Sequence, residues 1–231
     1  MIDQKLLVST KDIVSGTSSD GILEMLFRES GQYQLEYFKM TNNLYNVSTY
    51  NNGFALNWNS TNYTFSLTAG YYSETDLASA LKTALDTATG ATWTVSYSAS
   101  TGKFTMAPDS STFYTKSCIG YKLWGFNNSD GTAAASHVSD FPIDIWYPQA
   151  LFVKFYEDEE QSIVGKEYFS ASLYIPADSS FGGVIEFKAP DHAPQFIHLV
   201  ADNRIKFKWF DQYRQAINLN TADWMLILQK K

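Results

Sequence analysis

The sequence has few of the residue types from which catalytic and metal sites are usually built. It contains one cysteine, Cys118, and three histidines among 231 residues. A single cysteine excludes an intramolecular disulfide and a cysteine-based metal cage, and the chain is compatible with a reducing compartment. Charged residues make up 18% of the chain, below the roughly one quarter of an average globular protein. These shortages favour a structural or binding protein over an enzyme.

Positive charge and long apolar runs are also scarce. The formal net charge is −7, whereas a protein that neutralises nucleic-acid phosphates needs a basic face, so direct nucleic-acid binding is not expected. No run approaches the ~20 apolar residues of a membrane helix, and the mixed charges of the first five residues do not resemble a signal peptide. We therefore expect no membrane span.

Aromatic and β-forming residues are abundant instead. Aromatics make up 16% of the chain, with 15 tyrosines and 16 phenylalanines, and such side chains pack well on a pleated sheet. Alternation of apolar and polar residues predicts most of the strands, and a continuous apolar run at 224–228 predicts a last strand in a covered sheet. The predicted strands lie at 33–37, 44–50, 54–58, 63–67, 93–98, 103–107, 150–156, 168–175, 184–187, 196–200, 204–209 and 224–228.

One segment is predicted to be helical. Ser73 is a favourable N-cap, and Glu74 and Asp76 place negative charge in the first turn, where the helix dipole stabilises it. An apolar stripe at helical spacing follows, and Gly90 ends the segment. The stripe consists of Leu77, Ala80, Leu81, Ala84, Leu85 and Ala88.

These elements predict an all-β protein, a jelly-roll β-sandwich with one short helix. Residues 9–21 show no sustained periodicity of apolar residues, so residues 1–32 are predicted to be a partly extended N-terminal arm. Residues 33–231 are predicted to form a single jelly-roll domain with an internal loop boundary near 127–141. Whether 44–139 is a separate insertion or part of the roll stays open.

Catalytic and metal-binding patterns are weak. A hydrolytic triad needs a nucleophile beside a base, but the sequence has no Gly-x-Ser-x-Gly elbow, and His137, His192 and His198 are interpreted as surface or turn residues. The acidic run 157–160 lacks the alternating ligands of a calcium loop, and Gly182 with Gly183 does not form a phosphate loop. We predict no catalytic, cofactor-binding or metal-binding residue, and no cofactor.

One basic stripe needs a separate interpretation. Arg204, Lys206 and Lys208 alternate with Ile205, Phe207 and Trp209, a pattern that also occurs in single-strand binders. In an acidic protein the pattern favours a solvated or subunit-contacting strand face.

Three features together resemble a known family. The first is the segment 63–86, in which Gly-Tyr-Tyr-Ser leads into the predicted helix. The second is the predicted strand pair at 93–106, which is followed by Leu123-Trp124-Gly125-Phe126. The third is the segment 218–228, where Asp223-Trp224 precedes an apolar strand. This order resembles the penton (minor capsid) proteins of virophages and Polinton-like viruses. Trp124, inserted into the Leu-Gly-Phe element, departs from the family pattern.

The resemblance implies a single jelly-roll capsid protein without catalytic residues. It implies a homopentamer at the fivefold vertex of a small icosahedral double-stranded DNA virus, surrounded by trimers of a double jelly-roll major capsid protein. Such a protein is made in the host cell and located in the virion. The alternative is a carbohydrate-binding jelly-roll module, in which exposed Trp58, Trp146 or Tyr147 would stack on sugars.

Overall fold

The protein is described by a computed structural model that covers residues 5–24, 30–145, 148–157, 172–190, 192–199 and 204–231. The chain forms two compact units. The first combines Met1–Leu44 with Pro148–Lys231 and is called the terminal unit; the second, Tyr45–Tyr147, is called the inserted unit. The prediction of one domain over 33–231 stays a prediction.

In its described residues, the terminal unit contains two antiparallel sheets of five strands each. The first sheet has the order β1-β16-β4-β13, with β14 also paired to β4, and the second has the order β12-β11-β15-β3-β2. The strands are β1 (Lys5–Ser9), β2 (Ile13–Gly16), β3 (Asp20–Glu24), β4 (Gly31–Thr41), β11 (Ala150–Glu157), β12 (Ser172–Pro176), β13 (Val184–Lys188), β14 (Phe196–Leu199), β15 (Arg204–Asp211) and β16 (Trp224–Lys230). The predicted all-β jelly-roll sandwich is confirmed.

The core of the terminal unit follows from strict alternation along its strands. On β15, the side chains of Ile205, Phe207 and Trp209 are buried, whereas Lys206 and Lys208 are only half-buried. On β16, Trp224, Leu226 and Leu228 are buried. Because successive side chains of a strand point to opposite faces, each strand gives one apolar row to a shared core.

Residues 5–24, within the predicted arm, are bound into both sheets. β1 pairs antiparallel with β16, and β3 pairs with β15. Between β1 and β2 the chain turns through a short 3-10 helix, Thr10–Asp12, where the Asp12 carboxylate accepts hydrogen bonds from the Ser9 N–H at 2.8 Å and hydroxyl at 3.0 Å. Val8 and Leu23 are fully buried. The partners of these strands lie about 200 residues later, which is why local periodicity does not reveal them.

Gln195 connects the two sheets at one edge of the sandwich. Its backbone carbonyl accepts from the N–H of Leu35 on β4 at 2.9 Å. Its side-chain amide accepts from the N–H of Tyr174 on β12 and donates to the carbonyl of the same residue at 2.8 Å. The amide thus occupies the place of a neighbouring strand and satisfies backbone groups that an edge strand would otherwise expose.

Replacing Gln195 with alanine is expected to leave both Tyr174 backbone groups without their partner. We expect a loss of about 0.5–1.5 kcal/mol in the free energy of unfolding and association that increases with protein concentration. Thermal unfolding and light scattering measure the two effects. Gln195→Glu is the matched control, because it keeps the acceptor and loses the donor. Its free energy of unfolding should lie between those of the parent and the alanine variant. An alanine variant that matches the parent in both measurements would contradict the strand-like role.

The inserted unit contains two three-stranded sheets, with the orders β6-β5-β9 and β10-β8-β7. Its elements are β5 (Gly53–Trp58), β6 (Thr61–Ser66), α1 (Glu74–Thr89), β7 (Trp93–Ser98), β8 (Lys103–Pro108), β9 (Phe113–Thr115), α2 (Tyr121–Trp124) and β10 (His137–Val138). A second buried core, separate from that of the terminal unit, includes Phe54, Trp93 and Trp124.

Helix α1 begins and ends as predicted. The Ser73 hydroxyl accepts from the Asp76 N–H at 3.2 Å, and Gly90 ends the helix with φ of 71°, a conformation that costs glycine little. Leu77, Leu81 and Leu85 are fully buried. No helix of the described residues is long and apolar enough to cross a membrane.

Asp86 attaches the end of α1 to the next strand. Its carboxylate accepts from the Trp93 N–H at 2.7 Å and pairs with Lys82 one turn earlier in the helix. Partial burial raises the pKa of Asp86, but the Lys82 and Trp93 hydrogen bonds outweigh it and hold the pKa below its ordinary value. The charged carboxylate is therefore the form that stabilises this connection.

The strand predicted at 44–50 is wrong. Only Val47 forms a bridge, to Gly70, because asparagine side chains bind the surrounding backbone instead. Asn46 donates to the Tyr72 carbonyl at 2.8 Å, and Asn51 accepts from the Ser48 N–H at 2.7 Å. Such side-chain bonds favour turns over a ladder.

Two other predicted strands are only partly described. β12 begins at Ser172 and β14 ends at Leu199, so 168–171 and residue 200 of the predicted strands lie outside the described residues.

The sequence did not predict the single-turn helix α2. It ends at Gly125, which has a φ of 72°. Trp124 is fully buried there, and its indole N–H donates to the Gly53 carbonyl at 2.9 Å. Its ring meets Phe54 edge to face at 5.6 Å. Trp124, the residue that departs from the Leu-Gly-Phe pattern, is therefore a core residue of the inserted unit.

Candidate interaction surface

The three histidines take no part in a constellation of catalytic groups among the described residues. His137 lies on β10, with its Nε2 atom 2.8 Å from the Phe113 carbonyl and its ring packed against Phe113 at 4.6 Å. His192 and His198 are exposed in the terminal unit. Within the described ranges, no group of three or more His, Cys, Asp or Glu residues is placed to hold a metal ion.

Cys118 is poorly suited to act as a nucleophile. Burial raises the pKa of the Cys118 thiol, and this effect exceeds that of the Ala55 and Gly120 N–H groups, which lower it. A raised pKa keeps the thiol protonated at neutral pH, whereas the thiolate is the reactive form.

The described residues of the two charged patterns noted in the sequence lie on strands of the second sheet. Glu157 ends β11, and 158–160 lie outside the described residues. Lys206 and Lys208 share the outward face of β15, where Lys208 forms an ion pair with Asp20 at 3.1 Å. The side chain of Arg204 is outside the described part. The stripe is thus partly neutralised by its own sheet.

Trp58 does not form an exposed platform. It is half-buried against the core of the inserted unit, and its indole N–H donates to the Ser110 carbonyl at 3.1 Å. Trp146 and Tyr147 lie outside the described residues. The expected exposure of Trp58 is therefore wrong, because its ring packs beside Tyr63 at 6.3 Å.

Part of the outward face of the first sheet is apolar. The register pairs Leu7 with Ile227 and Ser9 with Met225, and alternation turns these side chains away from the core. Leu7 is 58% exposed, and Val184 on β13 is 48% exposed. The apolar run of β16 thus serves both faces of its sheet: the inward residues are buried, and the outward Met225 and Ile227 are half-buried.

An open groove of about 320 Å³ crosses one end of this face. We call it the outer groove; its lining residues come from four strands and from the turn after β1. They are Leu7, Ser9, Thr10, Lys11, Lys39, Met40, Thr41, Val184, Asp223, Trp224 and Met225.

The rim of the outer groove carries two lysines, Lys11 and Lys39, and one aspartate, Asp223. Asp223 accepts from the Thr10 hydroxyl at 2.9 Å. Lys11 and Lys39 are exposed, and neither forms an ion pair with another described residue. Lys39 lies opposite Glu186 in the register of β4 and β13, which leaves Lys11 as the cation beside the apolar floor. An apolar floor beside Lys11 fits an apolar side chain accompanied by a carboxylate.

The other end of the same face is closed by its own polar pairs. Lys5 and Glu36 form an ion pair at 2.6 Å, and the Tyr37 hydroxyl donates to Glu186 at 2.6 Å. This hydrogen bond raises the pKa of Tyr37, so the phenol stays protonated. The contrast identifies the outer groove as the open part of the face.

Sequence reasoning did not find the outer groove, because its residues are distributed over more than 200 positions. One signal was available: the continuous apolar run at 224–228 predicts a strand in a covered sheet. Met225 and Ile227 on the outward face remain half-buried among the described residues. A strand whose apolar outward side chains are only half-buried indicates a surface for a partner.

No protein-family model matches the sequence, and no curated protein is significantly similar to it. The fold is similar to a solved structure, the crystal structure of the selenomethionine-labelled mavirus penton protein. The TM-score is 0.52 at 11% sequence identity, and the likeness covers 99% of this chain and 98% of that chain. At such low identity the likeness concerns the fold, and it agrees with the jelly-roll class.

Proposed function

We propose that this chain is a structural capsid protein rather than an enzyme, and that it forms the pentameric vertex of a small icosahedral double-stranded DNA virus. The observation that carries the proposal is the full-length likeness in fold to a penton protein. The resemblance in the order of sequence motifs points to the same class independently of the coordinates. The likeness extends over nearly all of both chains, and it therefore supports an equivalent architecture more strongly than a likeness limited to one β-sandwich would.

The partners follow from this role. The chain associates with itself as a homopentamer and with trimers of a double jelly-roll major capsid protein, and it is located in the virion after synthesis in the host cell. A low-charge, aromatic-rich chain suits such contacts, since interface cores are depleted in charge and enriched in aromatic residues. The open apolar half of the first sheet supports a protein partner.

The decisive experiment measures the mass of the purified chain in solution over a wide concentration range. Mass photometry and light scattering should show a species of five times the 26.1 kDa chain mass, and negative-stain electron microscopy should show rings with fivefold symmetry. A chain that stays monomeric at millimolar concentration would contradict the homopentamer. A glycan-binding screen on the same sample tests the carbohydrate alternative, which predicts a monomer or dimer whose tryptophan fluorescence changes with sugar.

A further inference from the structure

We propose that the outer groove of one copy receives the loop between β12 and β13 of a second copy. This loop, residues 177–183, is called the Phe181 loop. The inference rests on the proposed self-association and specifies its contact. It assigns the groove a single occupant with an aromatic side chain and a carboxylate.

The most exposed apolar side chain of the outer groove, Leu7, lies at its β1 end. Leu7 is 58% exposed although its strand neighbours Leu6 and Val8 pack into the core. Lys11 follows it on the rim. Leu7 and Lys11 thus present an apolar side chain and a cation next to each other.

The Phe181 loop offers the complementary chemistry. Phe181 is 41% exposed, and Asp178 is exposed without an ion pair to any described residue. An aromatic ring is the residue type that most often anchors an interface. The pairs Leu7 with Phe181 and Lys11 with Asp178 match in polarity and in charge.

The loop is also held in a defined shape. Asn42 at the end of β4 donates from its side chain to the Ser179 carbonyl at 2.6 Å. Its carbonyl accepts from the Gly182 N–H at 2.7 Å, and its N–H donates to the Gly183 carbonyl at 2.8 Å. A loop fixed in this way loses little conformational entropy on docking.

The positions of groove and loop predict how copies are arranged. β1 and β13 are the two ends of the order β1-β16-β4-β13, about 14 Å apart at the usual strand spacing. The loop precedes β13, whose Val184 also lines the groove, whereas Leu7 and Lys11 lie at the β1 end. A contact from the loop of one copy to the β1 end of the next copy is head-to-tail, and when its rotation closes it generates a ring, as the proposed homopentamer requires.

Engineered disulfides test the contact directly. In a Cys118→Ser background, Leu7→Cys combined with Phe181→Cys should cross-link neighbouring copies under mild oxidation. Non-reducing electrophoresis should then show a ladder that ends at the closed ring. An equal mixture of the two single-cysteine variants should give dimers and no larger product. The matched control replaces Phe181→Cys by Tyr213→Cys, since Tyr213 is 51% exposed on the same unit, and should not cross-link.

Charge reversal provides a second test that needs no disulfide geometry. Lys11→Glu and Asp178→Lys should each weaken association about 5- to 10-fold, measured by the concentration at which oligomers dissociate. The double variant restores opposite charges and should return to within about twofold of the parent. Circular dichroism checks that each variant is folded.

The outcomes separate this inference from the proposed function. Pentamers that form without the Leu7–Phe181 cross-link and without charge rescue would overturn the groove contact and leave the capsid role standing. A folded chain that remains monomeric at millimolar concentration would overturn both. Cross-linked dimers that never extend into a ladder would replace the ring by a twofold contact and contradict the head-to-tail arrangement.

Discussion

Replacing Trp224 with alanine is expected to lower the free energy of unfolding by about 3–5 kcal/mol. Trp224 is 2% exposed, and its ring lies 5.2 Å from Phe207 and 5.6 Å from Trp209. Its indole N–H donates to the Ser18 carbonyl at 2.7 Å. The substitution removes these contacts and leaves a cavity between the two sheets of the terminal unit. Chemical denaturation followed by circular dichroism measures the loss.

Trp224→Phe is the control for this prediction. It keeps a ring against Phe207 and loses the hydrogen bond to Ser18, so it should lose about 1–3 kcal/mol, clearly less than the alanine variant. A Trp224→Ala variant with stability close to the parent would show that Trp224 does not hold β15 and β16 together.

Replacing Trp124 with alanine is expected to have a similarly large effect on the inserted unit. Trp124 is fully buried and contacts Phe54 and Phe104 at 5.6 and 6.5 Å. Its hydrogen bond to Gly53 connects α2 with β5. We expect a loss of about 3–5 kcal/mol. Hydrogen exchange resolved by mass spectrometry should locate the weakened amides within 45–147.

Trp124→Phe distinguishes packing from hydrogen bonding at this position. It should lose roughly 1–3 kcal/mol, because the Gly53 carbonyl is left without its buried donor. Protection lost only in the terminal unit would contradict the assignment of Trp124 to the core of the inserted unit.

Elements with strong local signals were predictable. Helix α1 combines an N-cap at Ser73, an apolar stripe and a glycine at position 90, and each acts within a few residues. β15 was predictable because Ile205, Phe207 and Trp209 alternate with lysines. Such a pattern arises because one face of the element is buried, and it can be recognised from the residues of that element alone.

Elements that depend on distant partners were not predictable. β1 and β3 are short, and their ladders join residues about 200 positions apart. Gln195 resembles any exposed polar residue in the sequence, yet its amide binds the Tyr174 backbone. Residues 44–50 were predicted as a strand, but asparagine side chains bind the backbone there. β1, β3 and Gln195 depend on distant contacts, whereas at 44–50 side-chain hydrogen bonds compete with a ladder.

The sequence by itself determined the class of this protein: a β-rich, weakly charged, acidic chain with one capped helix, one cysteine and few catalytic residue types. Composition and periodicity carry that information because they set which faces can be buried. The tertiary structure decided that the first and last strands pair, and that Leu7, Lys39, Val184 and Met225 line one groove. Pairing between residues so far apart is selected by the summed free energy of the whole sandwich, and no local pattern encodes it.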